Sequence, residues 1–511
     1  MCGGATAAPH RCPPALRPGG RAAVSLLPLP PPLLSAVLAA PGEDAPRLAC
    51  AAWLEAHAGA AGRARAEFIR VQLALAGGAG RLGVRERRAL EAREARLLHA
   101  HEEAWLEDVP EPLRSAGFRR GFVDFVLASG RALLAHAEAL FARHPVRRLQ
   151  LAEMTPALAV ELAALPFLAR LTHLELSDWM GTYHNRIGPE GAAALAASPH
   201  IGGLRSLELD GNRVGPEGAR ALAESPALGR LEALRLRANR LGPAGLRALV
   251  QSRPLRRLKR LWVGDNGLGA DGVAALSGAG RPLPLCDLEV GDNALPVEAV
   301  RALVESPALP RLRLFWSSGN ALGPAGARAL AASPQLGRLR ELGLARCELG
   351  PEGARALLRW GRLEQLRYLF LGENAMGPAG ARALAESRHL LRLRALNLQG
   401  NALGPAGAHA LAAAAPEVLG GLLRLDLSSN ALGPAGLRAL LVSPAVRRVS
   451  ELDLSNNALG EEGALLLARW PRLARVARLF VEENHFGAAG EQLLARALQP
   501  AAPRGHLHAV E

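Results

Sequence analysis

The stretch LRSLELDGNRVGPEG, residues 204–218, decides the architecture, because it returns as LEALRLRANRLGPAG from Leu231 and as LRALNLQGNALGPAG from Leu393. Its asparagine recurs at Asn212, Asn239, Asn266, Asn293 and Asn320, gives way to Cys347, and resumes at Asn374, Asn401, Asn430, Asn457 and Asn484. Neighbouring positions lie 27 residues apart, except for a step of 29 between Asn401 and Asn430. So strict a period marks an array of small units rather than a set of separate domains.

Each position in the unit has a physical task. Leu207 and Leu209 alternate with Ser206 and Glu208, which puts the leucines on one side of a short strand and the polar residues on the other. The asparagine ends the strand, and its amide offers donors and an acceptor to a buried loop, so that stacked units form a ladder. Cys347 does this weakly, and the ladder is expected to be softer there. Gly215 permits the turn, Pro216 suits the first helical position, and Glu217 lies at the positive helix end. Ala219 and Leu222 then pack the helix back on the strand. Strands stack about 4.8 Å apart, whereas helices need about 8–10 Å. The expected fold is therefore α/β, a horseshoe-shaped solenoid with a parallel sheet inside and helices outside. One unit departs: Pro296 and Ala299 stand where the glycines belong, which predicts an altered turn or a displaced helix.

The pattern L-x-x-L-x-L-x-x-N resembles the leucine-rich repeat, and the long unit with a full helix resembles its ribonuclease-inhibitor-like class. The resemblance implies protein recognition without naming a target. Eleven regular units follow Leu204, preceded by an irregular one at Leu171, Leu174 and Leu176, whose DWMGTYHN loop delays Asn185, and by a degenerate start, PVRRLQLAEM.

Ahead of the array, apolar residues at helical spacing predict three short helices: Leu34, Val37 and Leu38, then Leu48, Trp53 and Leu54, then Phe68, Ile69 and Leu73. Asp44, Pro46, Arg47, Leu48, Trp53, Leu54 and Glu55, with Arg65, Glu67, Phe68, Ile69, Arg70 and Gln72, resemble the bacterial repeat-companion domain found in front of repeat arrays. Ala52 stands where that family carries an acidic residue, and the resemblance carries no activity. The expected organisation is a disordered extension over 1–32, this helical domain over 33–76, a helical linker and cap over 77–145 with Phe122 and Phe125 covering the array's open end, repeats over 146–499, and a flexible tail over 500–511.

Composition narrows the function classes. The 511 residues are 49% hydrophobic and 21% charged, an ordinary globular balance, with a net charge of +14. Lys259 is the only lysine, so the basic count is nearly all arginine and reads as coding bias more than phosphate binding. Cys2, Cys12, Cys50, Cys286 and Cys347 are odd in number and scattered, which reads as reduced thiols in a cytoplasmic protein. Pro28, Pro30, Pro31 and Pro32 break any signal-peptide helix, with export as the alternative, and no apolar run reaches membrane-spanning length. There is no Walker loop, G-x-S-x-G or HExxH. His99, His101, His506 and His508 read as solvent-facing, so no catalytic residue, metal ligand or cofactor is assigned.

The informative surface is the open face of the sheet. The residues between the paired core positions run Glu175, Glu208, Arg235, Trp262, Glu289, Trp316, Gly343, Phe370, Asn397, Asp426, Asp453 and Phe480. Trp262, Trp316 and Phe370 interrupt a polar column at every second unit, about 10 Å apart at normal strand spacing. They are the expected anchors for a protein partner, with Arg235 and Glu289 in a polar rim. The expected function is a non-catalytic scaffold. Two alternatives stand beside it: a regulator of an enzyme such as a nuclease or GTPase, and a nucleic-acid or acidic-partner binder using a helix-side stripe of Arg220, Arg247, Arg301, Arg328, Arg355, Arg382 and Arg438.

Overall fold

The computed structural model describes residues 29–77, 82–178 and 181–498. Most of the expected 1–32 extension, the 500–511 tail with His506 and His508, and Cys2 and Cys12 lie outside the described residues. Contacts divide the chain into two units, residues 1–187 with 197–207, and residues 188–196 with 208–511.

The first unit opens with α1 (Pro31–Ala39), α2 (Ala45–His57) and α3 (Gly59–Ala76), followed by α4 (Val84–Trp105). Helix α1 starts inside the segment expected to be an extension, since proline is compatible with a first helical turn. Val37, Cys50, Ala51, Leu54, Ala66, Ile69 and Leu73 form one core with Phe122, and Phe68, Leu97 and Trp105 form another. The Arg65 guanidinium lies 4.6 Å from the Trp105 ring centre and 4.8 Å from that of Phe118.

Residues 77–145, expected to be helical, also contain an antiparallel hairpin of β1 (Ala116–Arg119) and β2 (Phe122–Ser129). Its two-residue turn places both Arg120 (φ 53°) and Gly121 (φ 85°) in the left-handed region, the geometry that matches strand twist. The helices hold this turn. Arg47, 1% exposed, donates to the carbonyls of Arg120 at 3.0 Å and Pro41 at 2.9 Å. Gln72 accepts from the Gly121 N–H at 2.6 Å and donates to the Phe118 carbonyl at 3.3 Å. A side chain at Gly121 would meet Ile69 within 2.3 Å. Arg47, Ile69 and Gln72, three residues of the N-terminal motif, thus act structurally by clamping one turn. The unit continues through α5 (Gly130–Arg143), capped by the Ser129 hydroxyl, then β3 (Arg148–Ala152), α6 (Pro156–Ala163), capped by Thr155, and β4 (His173–Glu175). Strands β2, β3 and β4 pair in parallel.

The second unit holds ten three-residue strands, from Ala233–Arg235 to Arg478–Phe480, each paired in parallel with the next in chain order. The middle residue of each strand faces the helices, and nine of these, from Leu234 to Leu452, are at most 3% exposed. Regular helices open at the first glycine of the phrase, as in Gly215–Glu224 and Gly242–Gln251. The helix Val297–Glu305 opens one residue later, behind Pro296 at φ −70° and ψ 159°, because proline cannot take the left-handed angle that glycine supplies. Ala299 is half-buried where Gly245 and Gly272 are buried.

Candidate functional site

The asparagine ladder fixes the loops that bound the open face. Asn239 Oδ1 accepts from the backbone N–H groups of Asn212 and Val214 in the preceding unit, both at 3.1 Å. Its Nδ2 donates to the Leu209 and Arg237 carbonyls, both at 2.8 Å. Asn266, Asn293, Asn320, Asn374, Asn401, Asn430, Asn457 and Asn484 likewise accept from the preceding unit. In the first unit, Asn185 accepts from the Met154 N–H at 2.7 Å, six residues late but in the same role.

Cys347 donates to the Ser317 carbonyl at 3.3 Å and the Ala345 carbonyl at 3.5 Å, and its sulfur interacts with the Asn320 N–H but not with that of Leu322. Burial pushes its thiol up to about 12, so it stays neutral. The Leu322 N–H, which an asparagine at 347 would receive, turns to the Asn320 carbonyl at 2.7 Å. That carbonyl is open for a second reason. In regular units it accepts from the helix-opening glycine of the preceding unit, as Asn266 does from Gly242 at 3.0 Å. Pro296 has no N–H to give. The two departures therefore leave one donor and one acceptor, and these satisfy each other.

On the open face, Arg235, Trp262, Glu289, Trp316, Gly343 and Phe370 are neighbours in one register row. The three aromatics do not form an evenly spaced set. The Trp316 and Phe370 ring centres are 5.3 Å apart rather than about 10 Å, because Gly343 between them has no side chain and a Cβ there would sit 2.9 Å from the Trp316 ring. Trp316 Nε1 donates to Glu341 Oε1 at 3.0 Å, and burial raises the Glu341 carboxyl above the usual range. Trp262 is instead covered by the Arg235 guanidinium, 4.2 Å from its ring centre. Arg235 is itself held by Asp210 at 2.9 Å and Glu208 at 3.3 Å.

Glu289 is not in a rim. It is 3% exposed and turned inward, accepting from the N–H groups of Gly264 at 2.9 Å and Gly291 at 3.1 Å, where the two glycines leave room for its carboxylate. Burial raises this carboxyl, and Arg237, 3.8 Å away, opposes the shift.

Two further rows run along the array, neither among the sequence expectations. Arg313, Arg340, Arg367 and Arg394 are all exposed and stand immediately before four successive strands; each backbone N–H from Arg340 onward donates to the preceding arginine's carbonyl at 2.7–2.8 Å. Tyr368, 37% exposed, lies beside Arg367. The same 27-residue subtraction finds this row. The second is a serine row at the helix ends: Ser225, Ser252, Ser306 and Ser387 donate to the Ala196, Ala223, Ser277 and Leu358 carbonyls, and Trp470 Nε1 reaches the Leu441 carbonyl at 3.0 Å. On the helix side, Arg220, Arg247, Arg301, Arg328, Arg355, Arg382 and Arg438 are all exposed, and Arg438 pairs with Glu462. Among the described residues no group of three His, Cys, Asp or Glu side chains is placed to hold a metal ion, and no helix is long and apolar enough to cross a membrane.

Five segments, residues 204–223, 339–358, 392–412, 422–441 and 449–468, match the Leucine Rich repeat family. With the parallel sheet and alternating helices, they make the fold a leucine-rich-repeat solenoid. No curated protein matches the sequence. Among solved structures, a chain of the Rad7 and Elc1 complex in yeast is similar over 67% of this chain and 79% of its own, with 17% identity and a TM-score of 0.45. A chain of the TLR13–ssRNA13 complex is similar over 66% of this chain, with 17% identity and a TM-score of 0.38, and this chain spans half of its length.

Proposed function

We propose that this leucine-rich-repeat solenoid is a non-catalytic scaffold that holds a protein partner on the open face of its sheet, with Trp316 and Phe370 as the apolar anchor. The observation that carries the reading is the ring pair over Gly343: two large aromatics in contact on the open sheet face, next to the half-exposed Tyr368. Aromatic clusters of this kind are the usual anchors of protein interfaces. The arginine row at 313, 340, 367 and 394 adds a charge preference, so the partner carries an acidic flank beside its apolar contact. Trp262 with Arg235 would form a second, more polar contact, and Glu289 would act by fixing the loops rather than by touching the partner.

In the same reading the array is of the ribonuclease-inhibitor-like class, and residues 33–76 are a repeat-companion domain whose role is to clamp the hairpin. The reduced thiols of Cys50, Cys286 and Cys347 fit a cytoplasmic setting.

The test compares partner capture by wild type and by a Trp316→Ala, Phe370→Ala variant of equal melting temperature. The expected result is a protein retained by wild type and lost at least about tenfold in the variant, since such anchors are worth about 2 kcal/mol or more. Equal retention by both would sink the sheet-face reading. Retention that instead falls with Arg328→Ala, Arg355→Ala and with rising salt would favour an anionic partner on the helix side. A change in the captured protein's turnover would make the chain an enzyme regulator.

A further inference from the structure

The first unit contains a pocket of about 290 Å³ at the amino-terminal edge of β2, β3 and β4, lined chiefly by Arg119, Arg120, Asp124, Arg147, His173 and Arg205. Four guanidinium groups and one carboxylate therefore share a small space. Arg120 has an outside partner, Asp44 at 2.6 Å. Among the described residues, Arg119 and Arg147 have no carboxylate within 4.0 Å. Asp124 is 5% exposed and faces the charges of Arg47, Arg119, Arg147 and Arg148, yet among the described residues its carboxylate receives no hydrogen bond and forms no ion pair. Asp124, nearly buried, thus reaches the pocket without a protein donor, and the half-buried Arg147 meets it without a carboxylate at ion-pair distance, so that each leaves hydrogen-bonding capacity at the pocket wall.

Neither problem is solved by an ordinary anion, which would neutralise the arginines and repel Asp124. Both are solved by an oxyanion that still carries a proton. Its charged oxygens accept from the guanidinium N–H groups in the fork geometry arginine favours, and its remaining hydroxyl donates to Asp124. Phosphate keeps such a hydroxyl at neutral pH, whereas sulfate does not. We infer that this pocket binds a protonated phosphoryl group, hydrogen phosphate or the monoanion of a phosphomonoester, and selects it over sulfate through Asp124. The site belongs to the first unit and does not depend on the partner proposed for the second.

The test uses the full chain and titration calorimetry at about pH 5.5, where phosphate and O-phosphoserine both carry a phosphoryl proton, and at fixed ionic strength, with inorganic phosphate, sulfate and O-phosphoserine as probes. Phosphate is expected to bind at least about tenfold more tightly than sulfate, the effect of one charge-assisted hydrogen bond gained and one repulsion avoided. Tighter binding of O-phosphoserine than of phosphate would assign the site to a phosphomonoester, and the reverse to the free ion. Arg147→Gln is expected to weaken phosphate at least about tenfold, and Arg119→Gln, at an exposed position, gives a second readout should the first fail to fold. Asp124→Asn is expected to erase the preference over sulfate. Equal binding of phosphate and sulfate by wild type, or phosphate binding unchanged in both folded arginine variants, would overturn the assignment.

Discussion

Between Asn239 and Asn293 every rung of the ladder is complete, each asparagine accepting two N–H groups from the unit before it. Between Asn293 and Asn374 the rung at Cys347 lacks an acceptor for the Leu322 N–H and one helix lacks its donor at Pro296, and the chain closes the gap locally with a 2.7 Å bond from Leu322 to Asn320. The comparison teaches that two irregular residues, each a defect when considered alone, can be a matched pair. Backbone groups in a buried loop must find partners, so the loss of one long-range bond is tolerated where a second loss frees the complementary group.

The largest expected effect contrasts the two regions directly. Asn266→Ala removes the acceptor for the Asn239 and Leu241 N–H groups, at 3.0 and 3.2 Å, and a buried donor to three carbonyls. It should destabilise the array by about 3 kcal/mol in urea unfolding, against about 1 kcal/mol for Cys347→Ala. Similar losses at both positions would erase the distinction between complete and incomplete rungs.

A smaller effect sharpens it. Cys347→Asn draws the Leu322 N–H away from the Asn320 carbonyl, and Pro296→Gly offers that carbonyl a new donor while Leu322 still occupies it. Each change alone leaves a group in competition, and together they restore the regular pattern. A double-mutant cycle should therefore show a favourable coupling of about 1 kcal/mol. Additive changes would mean that the two departures are unrelated.

The smallest effect concerns the aromatic pair in the same region. Because burial raises the Glu341 carboxyl, the folded state holds this proton more tightly than the unfolded state. Its stability contribution therefore declines as pH rises from the ordinary glutamate value, about 4.3, through the raised folded value, and the penalty is complete above that. Glu341→Gln keeps an acceptor for Trp316 and removes the penalty. The variant should melt higher than wild type at pH 7, with the advantage fading below about pH 4. An advantage that grows on acidification would show that the direction is wrong.

Much of this was legible in the sequence, because Leu207, Leu209, Asn212 and Gly215 each have a position-specific task that the period repeats. The β1–β2 hairpin was not, since GFRRGFVDFV is too short and too apolar for its alternation to stand out beside a long helix, and its turn is stabilised by Arg47 and Gln72 from distant helices. The closeness of Trp316 to Phe370 depends on what Gly343 lacks, and the inward turn of Glu289 on room left by Gly264 and Gly291. Such effects arise between units, where a pattern read within one unit has nothing to say. The row from Arg313 to Arg394 was readable by the same subtraction, but basic residues before a strand have no packing task that draws attention to them.

In the asparagine rungs the accepting oxygen comes from the later unit: Asn239 serves Asn212, Asn266 serves Asn239, and Asn293 serves Asn266. This gives the array a direction in time as well as in space. At roughly 5–20 residues per second, a ribosome needs about 1–5 seconds to deliver the next unit. Throughout that interval the newest loop is incomplete, with its backbone donors waiting for an asparagine not yet made. Each unit of this chain is finished by its successor, so synthesis leaves one unfinished loop at the growing end while the loops behind it close in order.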